Sequence, residues 1–557
     1  MKEAIANRYI GMYVLALITV VTLLVSPFNS LDPVNLPKLT ALVALAFIAL
    51  GLLISRKDFF MDSKNRLPLV MIGLFILQSI FVLLLDNRTL ALKFYGTTSR
   101  NTGFIAYLSL SLLLVATMAS ANMFFLKQNM WVLLIVGVTS AVYGIFQSKG
   151  LDFYQFNSTS GSNVFGTFGN PNFQSAFMGI VGASALSLAA FSSFEIKIKA
   201  SLTLIVVVAL YNISLSSQQG YLNLLAGFAA AFTVYLFSKK QVILGWSFLG
   251  VFSLGVISVL LGILNKGPLA EAIYKSSLQA RGFYWRAATN MIVDHPFFGV
   301  GFDGFGEWYR RTRSLEAIQV NAAVSSDTAH NIPLDIGSSG GLPLMLLYLA
   351  IIALAIKSVV KVVRRKSEFN VYFAALVAAW VSYQAQSLIS INQLGLGVWG
   401  WSLTGLLIGY EINTRGEVPT EKEKLADKSK IITNKLPAGT LVITLVTSGI
   451  GLAIALPPYL AASTFYKALQ SGDANIIQPA AYLRPYDNNR FLFVAQILNQ
   501  NKLEAQAIKV LRDASSIYPD SFEMWQLWSE IASATPSDVA HAKAEMKRLD
   551  PFNPELK

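Results

Sequence analysis

Residues 241–264 read QVILGWSFLGVFSLGVISVLLGIL, with Lys239-Lys240 before them and Asn265-Lys266 after. No side chain in that run carries a charge. A bilayer core about 30 Å thick takes roughly 20 apolar residues of helix, so the run is a membrane span. The lysine pair marks its cytoplasmic end, because Lys and Arg are enriched in the loops that stay in the cytoplasm. Further runs follow the same rule, near 9–26, 37–55, 67–85, 103–120, 130–148, 173–192, 200–216, 220–237, 337–356, 370–389, 395–411 and 436–456. The chain is therefore predicted to be all-α, a polytopic bundle of about thirteen helices in the lipid bilayer.

Composition agrees. Of 557 residues, 54% are hydrophobic and 13% charged, against about 25% charged in soluble proteins. A net charge of +13 would point a soluble protein toward nucleic acid. Here the Lys and Arg sit mainly in short loops where they set topology, so no nucleic-acid partner is expected. There is no cysteine, which excludes disulfides and thiolate metal sites. His295, His330 and His541 belong to no cluster with metal-ligand spacing, so neither a metal nor another cofactor is expected. The apolar run after MKEAIANR lacks a clear small-residue cleavage site and is read as an uncleaved first helix.

Counted from a cytoplasmic N-terminus, the inside loops hold Arg56, Lys57, Lys64 and Arg66, then Lys127, Lys197 with Lys199, Lys239 with Lys240, and Lys357 to Lys366. The short outside loops 27–36, 215–219 and 390–394 hold neither Lys nor Arg. This asymmetry leaves the C-terminal hundred or so residues outside the cytoplasm. Segment 412–435 reads as a polar cytoplasmic linker. Three outside loops are large: 86–102, 149–172 and 265–336. The last is rich in Phe, Trp, Tyr and Gly, which predicts an ordered structure on the membrane face rather than a disordered connection.

The chain divides at 456/457, into a membrane domain 1–456 and a polar helical tail 457–557. In the tail Tyr482–Asp487 (YLRPYD) recurs as Ser516–Asp520 (SIYPD) and Arg548–Asn553 (RLDPFN). A proline closing a helix pair at a period near 34 residues resembles tetratricopeptide repeats. So few repeats are expected to lean on the membrane domain, either as a structural cap or as a dock for an envelope partner.

Within 265–336, ARGFYWR (Ala280–Arg286) opens a short amphipathic helix, DHPFFGVG (Asp294–Gly301) makes a turn, EWYRRTR (Glu307–Arg313) is basic, and DTAHN (Asp327–Asn331) precedes the next span. Arginine beside a membrane suits a phosphate or diphosphate, since its planar fork gives two parallel hydrogen bonds and keeps its proton. It equally suits a lipid headgroup, the simpler reading for Arg310, Arg311 and Arg313. Histidine is a general base near neutral pH. His330, just outside a span, is the candidate; His295, before Pro296, reads as structural. Asp303 and Glu307 could share a helix face, although solvated acids are the commoner reading. Asn170 either meets sugar hydroxyls or caps the helix that follows it.

These runs carry a resemblance. ARGFYWRAATNMIVDHPFFGVGFDGFGEWY with TAHNIPLDIGSSGG, GTFGNPNFQSAFM (Gly166–Met178) and YGTTSRNTG (Tyr95–Gly103) resemble the O-antigen ligase and Wzy-type polymerase superfamily over roughly 80–410. The resemblance implies a GT-C-like fold in a bacterial cytoplasmic (inner) membrane. It implies inverting, metal-independent transfer of a glycan from an undecaprenyl-diphosphate donor to a glycan, lipid or protein acceptor on the extracytoplasmic face. Ligase, polymerase and protein O-oligosaccharyltransferase all fit it; a transporter of the same donor, or a scaffold presenting the tail, are the readings of another class. By motif, His330 is the catalytic base and Arg281 binds the donor diphosphate, with Arg286 a weaker match. At Ser217-Gln218-Gln219-Gly220, Gln219 stands where such ligases commonly have an arginine, so Arg100 is the candidate for the missing charge. Gln219, Asn331 and Asn170 are candidates for sugar contact or orientation.

Overall fold

The computed structural model describes residues 2–26, 32–152, 164–273, 276–320, 324–365, 368–415 and 436–556. Residues 153–163 of the second large outside loop, and 416–435 of the linker, lie outside the described residues. Among the described residues there are helices and no strand. Through the membrane domain these are α1 (Lys2–Leu23), α2 (Asn35–Ile54), α3 (Lys57–Met61), α4 (Arg66–Leu85), α5 (Leu90–Tyr95), α6 (Phe104–Ser120), α7 (Met123–Ser148), α8 (Pro171–Phe191), α9 (Ile196–Ser216), α10 (Gln219–Ser238), α11 (Val242–Ile263), α12 (Ala270–Ile273), α13 (Ser276–Asp294), α14 (Phe305–Thr312), α15 (Leu315–Val320), α16 (Ile332–Arg365), α17 (Val371–Ser387), α18 (Leu394–Asn413) and α19 (Ala438–Ser471).

A helix stands at every predicted span, and nine among the described residues are long and apolar enough to cross a membrane. The other four, α1, α6, α17 and α18, are shorter in their apolar part or carry more Gly, Ser and Trp. Position in the bundle explains the difference for α18. From Leu394 to Ile412 every residue of that helix is buried, so protein rather than lipid surrounds it. At the periphery the opposite holds: on α11, Ile243 is 84% and Val251 71% exposed, apolar surface that only lipid solvates well.

Close backbone approach holds the centre together. A Cβ on Gly405 of α18 would fall 2.4 Å from the Leu114 carbonyl oxygen of α6, and one on Gly409 would fall 2.3 Å from that of Met118. Small residues four apart let two helices touch backbone to backbone, where lipid offers no hydrophobic drive to pair them. One buried cation lies in this core. Lys38 Nζ donates to the carbonyls of Val21 and Thr22, each at 2.7 Å, and so satisfies the end of α1.

The predicted span 337–356 is part of α16, which is broken at Gly341 (φ 74°) ahead of Pro343. The turn 295–301 docks into the break. Val300 and Gly301 N–H groups donate to Ser338 and Ser339 carbonyls at 2.8 and 3.0 Å, and Leu342 N–H donates to Pro296 at 2.8 Å. Gln78 of α4 adds a bond to the Phe297 carbonyl at 2.7 Å. The backbone groups freed by the break are thus re-bonded inside protein, the condition for irregular backbone at membrane depth.

Helix α19 continues through Pro457 and Pro458, past the sequence boundary at 456/457, and ends at Ser471. Beyond it lie helices Ala474–Ala480, Asn488–Gln500, Glu504–Ile517, Phe522–Glu530 and Pro536–Leu549. They enclose a core of their own that includes Phe491, Leu511, Trp525 and Trp528, and Leu92 of α5 belongs to the same cluster.

Candidate functional site

The long loop folds around a small apolar core. Ala287, Ala288 and Met291 of α13 meet Phe305 and Tyr309 of α14 and Ala329 of the segment before α16. This core fixes α13 against the His330 loop. Tyr284, one turn after Arg281 and on the same helix face, stacks on the His330 ring with centroids 5.4 Å apart and planes 28° apart. Tyr309 then meets Tyr284 edge-on at 5.4 Å. His330 adopts φ 50°, held by a Thr328 side-chain bond to its own N–H (3.3 Å) and by Asp335, which accepts from the N–H of Ala329 at 3.1 Å. Asn331 caps α16, accepting from Leu334 N–H at 3.0 Å, and its amide donates to the Leu388 carbonyl at 2.9 Å.

Arg100 arrives from the loop 86–102. It sits between Ser99 (φ 73°) and Asn101 (φ 55°), two left-handed residues, a strained arrangement that needs outside support. Asp303 supplies it. Its carboxylate accepts from the N–H groups of Thr97 and Thr102, both at 3.0 Å, and from the Thr102 hydroxyl. Asn35 donates to the Ser99 carbonyl at 2.6 Å and is itself held by Gln393 at 3.2 Å. The Arg100 side chain is 5% exposed, with Asp327 and Asp335 each 3.9 Å away. Among the described residues, none of its three guanidinium nitrogens has a hydrogen-bond partner. A buried guanidinium without hydrogen bonds is rare, because desolvating it costs several kcal/mol.

The fields combine at His330. Burial, then the positive charges of Arg281 and Arg100, push its imidazole down to about 4, against a smaller upward pull from Asp327. The ring is neutral at physiological pH. Burial also lowers Arg281 from its ordinary value, and among the described residues no carboxylate pairs with it. For Arg100, burial works against the charge, but Asp327, Asp335 and Asp303 outweigh it and hold the group above its ordinary value. Two cations, a neutral histidine and a stacked tyrosine therefore share one electrostatic site.

Other candidates lie elsewhere. Arg286, read as a donor contact, is turned away: it pairs with Glu316 at 2.6 Å with both side chains 54% exposed. Five residues of helix rotate it about 140° from Arg281, which a shared motif does not reveal. Gln219 and Asn170 meet at the entrance of α8 and α10. Gln219 donates to the Asn172 carbonyl at 3.4 Å, and Asn170 caps α8 through Asn172 N–H at 2.8 Å. None of their hydrogen bonds reaches the His330 loop. His295 packs edge-on to Trp308 at 4.6 Å. Asp303 and Glu307 are not solvated acids; Glu307 pairs with half-buried Arg88 at 3.2 Å, and Asp86 binds the same guanidinium at 2.7 Å. Arg310, Arg311 and Arg313 meet the tail through Glu523 (3.3 Å), Asp520 (2.5 Å) and Asp550 (2.5 Å) rather than facing headgroups. Sequence reasoning missed Tyr284, and it read Asp303 as a solvated acid rather than as the support of the Arg100 loop. Tyr284 had a signal, three residues after Arg281 on a predicted helix; Asp303 had none, since its partners lie two hundred residues earlier.

Residues 202–349 match the family model described as O-antigen ligase. The matched stretch runs from α9 into α16, and holds Arg281, Tyr284, Asp303 and His330. The chain is an integral membrane protein in which this one stretch matches the O-antigen ligase model. No curated protein matches the chain.

Proposed function

We propose, from the O-antigen ligase domain in this chain, that it transfers a glycan from undecaprenyl diphosphate to an acceptor hydroxyl, with inversion and without a metal ion, on the outer face of a bacterial inner membrane. The observation that carries this reading is Arg100, whose buried guanidinium offers three nitrogens with no hydrogen-bond acceptor. Arg281 adds a second cation that, among the described residues, has no carboxylate on it. A diphosphate supplies the hydrogen-bond acceptors that Arg100 lacks and the negative charge that Arg281 lacks.

In the proposed step the acceptor oxygen attacks the anomeric carbon of the donor from the face opposite the diphosphate. The bond from that carbon to the phosphate oxygen breaks, and undecaprenyl diphosphate leaves with the electron pair. The acceptor proton passes to His330, which is neutral and able to take it. Arg281 and Arg100 stabilise the charge that grows on the leaving oxygen. The donor also tunes the base. A bound diphosphate offsets the two charges that depress His330, so its affinity for a proton rises when the substrate is in place.

The test is turnover of radiolabelled undecaprenyl-diphosphate oligosaccharide by purified protein in EDTA, with an acceptor extract. Wild type should release prenyl diphosphate and transfer the glycan, and His330→Ala should do neither. Equal turnover by both would remove His330 from the mechanism. Intact donor with wild type would overturn the transferase reading.

A further inference from the structure

A cavity of about 280 Å³ lies between the Arg100 loop, the outer end of α19 and the helical tail. Its walls include Tyr95, Asn101, Tyr486, Asn488, Arg490 and Phe493. It contains neither His330 nor Arg281. The same short loop separates the two places: Arg100 faces Asp327 and Asp335, while Thr97, Thr98, Ser99 and Asn101 line the cavity. Thr98 also hydrogen-bonds Asp487 of the tail, which ties the two walls together.

Three polar atoms in this lining are buried and make no hydrogen bond: Oδ1 of Asn101, Oδ1 of Asn488 and Nη1 of Arg490. Asn101 is 4% exposed and Arg490 5%. The rest of the Arg490 fork is engaged, with Nη2 donating to the carbonyls of Leu483, at 2.9 Å, and Pro485. Its free nitrogen is therefore a fixed donor. Buried polar groups find partners, and here the open set is two acceptors and one donor beside aromatic rings. An anion would meet two amide oxygens, and a hydrocarbon would leave all three unpaired. A hydroxyl both gives and accepts, and the apolar face of a sugar ring packs on an aromatic one.

We infer that this cavity is a saccharide subsite, and that it holds sugar residues of the acceptor while Arg100 and Arg281 hold the donor. The assignment of its contents to the acceptor rests on the transferase reading; the binding of a saccharide does not. The tail thus completes a substrate site, because Tyr486, Asn488, Arg490 and Phe493 all come from it.

Saturation-transfer NMR on the detergent-solubilised full chain tests this with methyl glycosides of glucose, galactose, mannose and N-acetylglucosamine. At least one should receive saturation. Asn488→Ala should weaken that binding about tenfold, the size of one or two lost hydrogen bonds. Phe493→Ala, a change at a side chain 39% exposed, should weaken it without altering thermal unfolding. His330→Ala and Arg281→Gln should bind as wild type does, which separates this cavity from the donor site. In turnover, Asn488→Ala should raise the acceptor KM and leave the donor KM unchanged. Absence of saturation for every glycoside, or equal binding by wild type and both cavity variants, overturns the subsite. Saccharide binding in a protein that releases no prenyl diphosphate keeps the subsite and rejects the transferase.

Discussion

His330 is set low by burial and by two guanidinium charges, and this fixes the sign of its pH dependence. A general base must be neutral, so activity falls as pH drops through its pKa. The profile of kcat/KM reports the free enzyme and that of kcat the donor complex. The acidic limb of kcat/KM should therefore lie near pH 4, and the limb of kcat about one unit or more higher, because bound diphosphate offsets Arg281 and Arg100. Coincident limbs would mean that the donor does not sit between those cations and His330. The cations themselves differ in kind from lysine. Arg281→Lys keeps the charge and loses the fork, and should lower kcat/KM by about 10- to 100-fold, the value of one charged hydrogen bond; wild-type activity in the purified variant would dismiss a bidentate contact. At this scale the sequence was informative only where a residue acts through its own neighbourhood. Arg281 and His330 stand in local runs that carry the resemblance. Arg100 depends on Asp303, which no local pattern connects to it, and Arg286 shares the helix of Arg281 but not its face.

At the scale of elements, thirteen helices were legible because a bilayer sets a length and demands apolar side chains, and both can be counted along a chain. The break in α16 was legible only as the run Gly340-Gly341-Leu342-Pro343 inside the predicted span 337–356. What gives that run its meaning is the turn 295–301, folded into the break from forty residues away. Gly341 combines φ 74° and ψ 178° with a Cβ direction that would meet the Phe297 carbonyl carbon at 2.5 Å. Gly341→Ala should cost about 1–3 kcal/mol for the backbone conformation alone, and the clash adds to it. The half-helix Ile332–Gly340 carries Asp335 and is separated from His330 only by Asn331, so the variant should lose activity as well as stability. A thermal unfolding curve and a turnover assay on the same preparation check both. Unchanged melting would show that the break can reorganise cheaply.

The whole molecule is a membrane bundle with a helical tail seated on loops 86–102 and 265–336, and charges make much of that seat. The predicted orientation can be read directly, because the chain has no cysteine. A single cysteine at His541 should react with a membrane-impermeant maleimide in intact cells, and one at Lys361 only after lysis; the reverse pattern would invert the topology. The tail's position was expected from its small size, but its means of attachment was not. Arg310, Arg311 and Arg313 resemble headgroup anchors in one dimension, and only the fold brings Glu523, Asp520 and Asp550 to them. Asp550 is fully buried and lies 2.5 Å from the guanidinium of Arg313, itself 3% exposed. Removing one charge of a buried pair typically costs about 3–5 kcal/mol, since the other stays desolvated. Asp550→Asn keeps the shape and removes the charge, so it should loosen the tail from the loop while the membrane helices stay inserted. Limited proteolysis should then release a C-terminal fragment faster than from wild type. If the cavity between tail and loop holds the acceptor, the same variant should raise the acceptor KM and spare donor binding, because Arg100 keeps its supports in Asp303 and Asn35. An equal loss of donor binding would mean instead that the tail holds the Arg100 loop in place, and that donor and acceptor sites stand or fall as one unit.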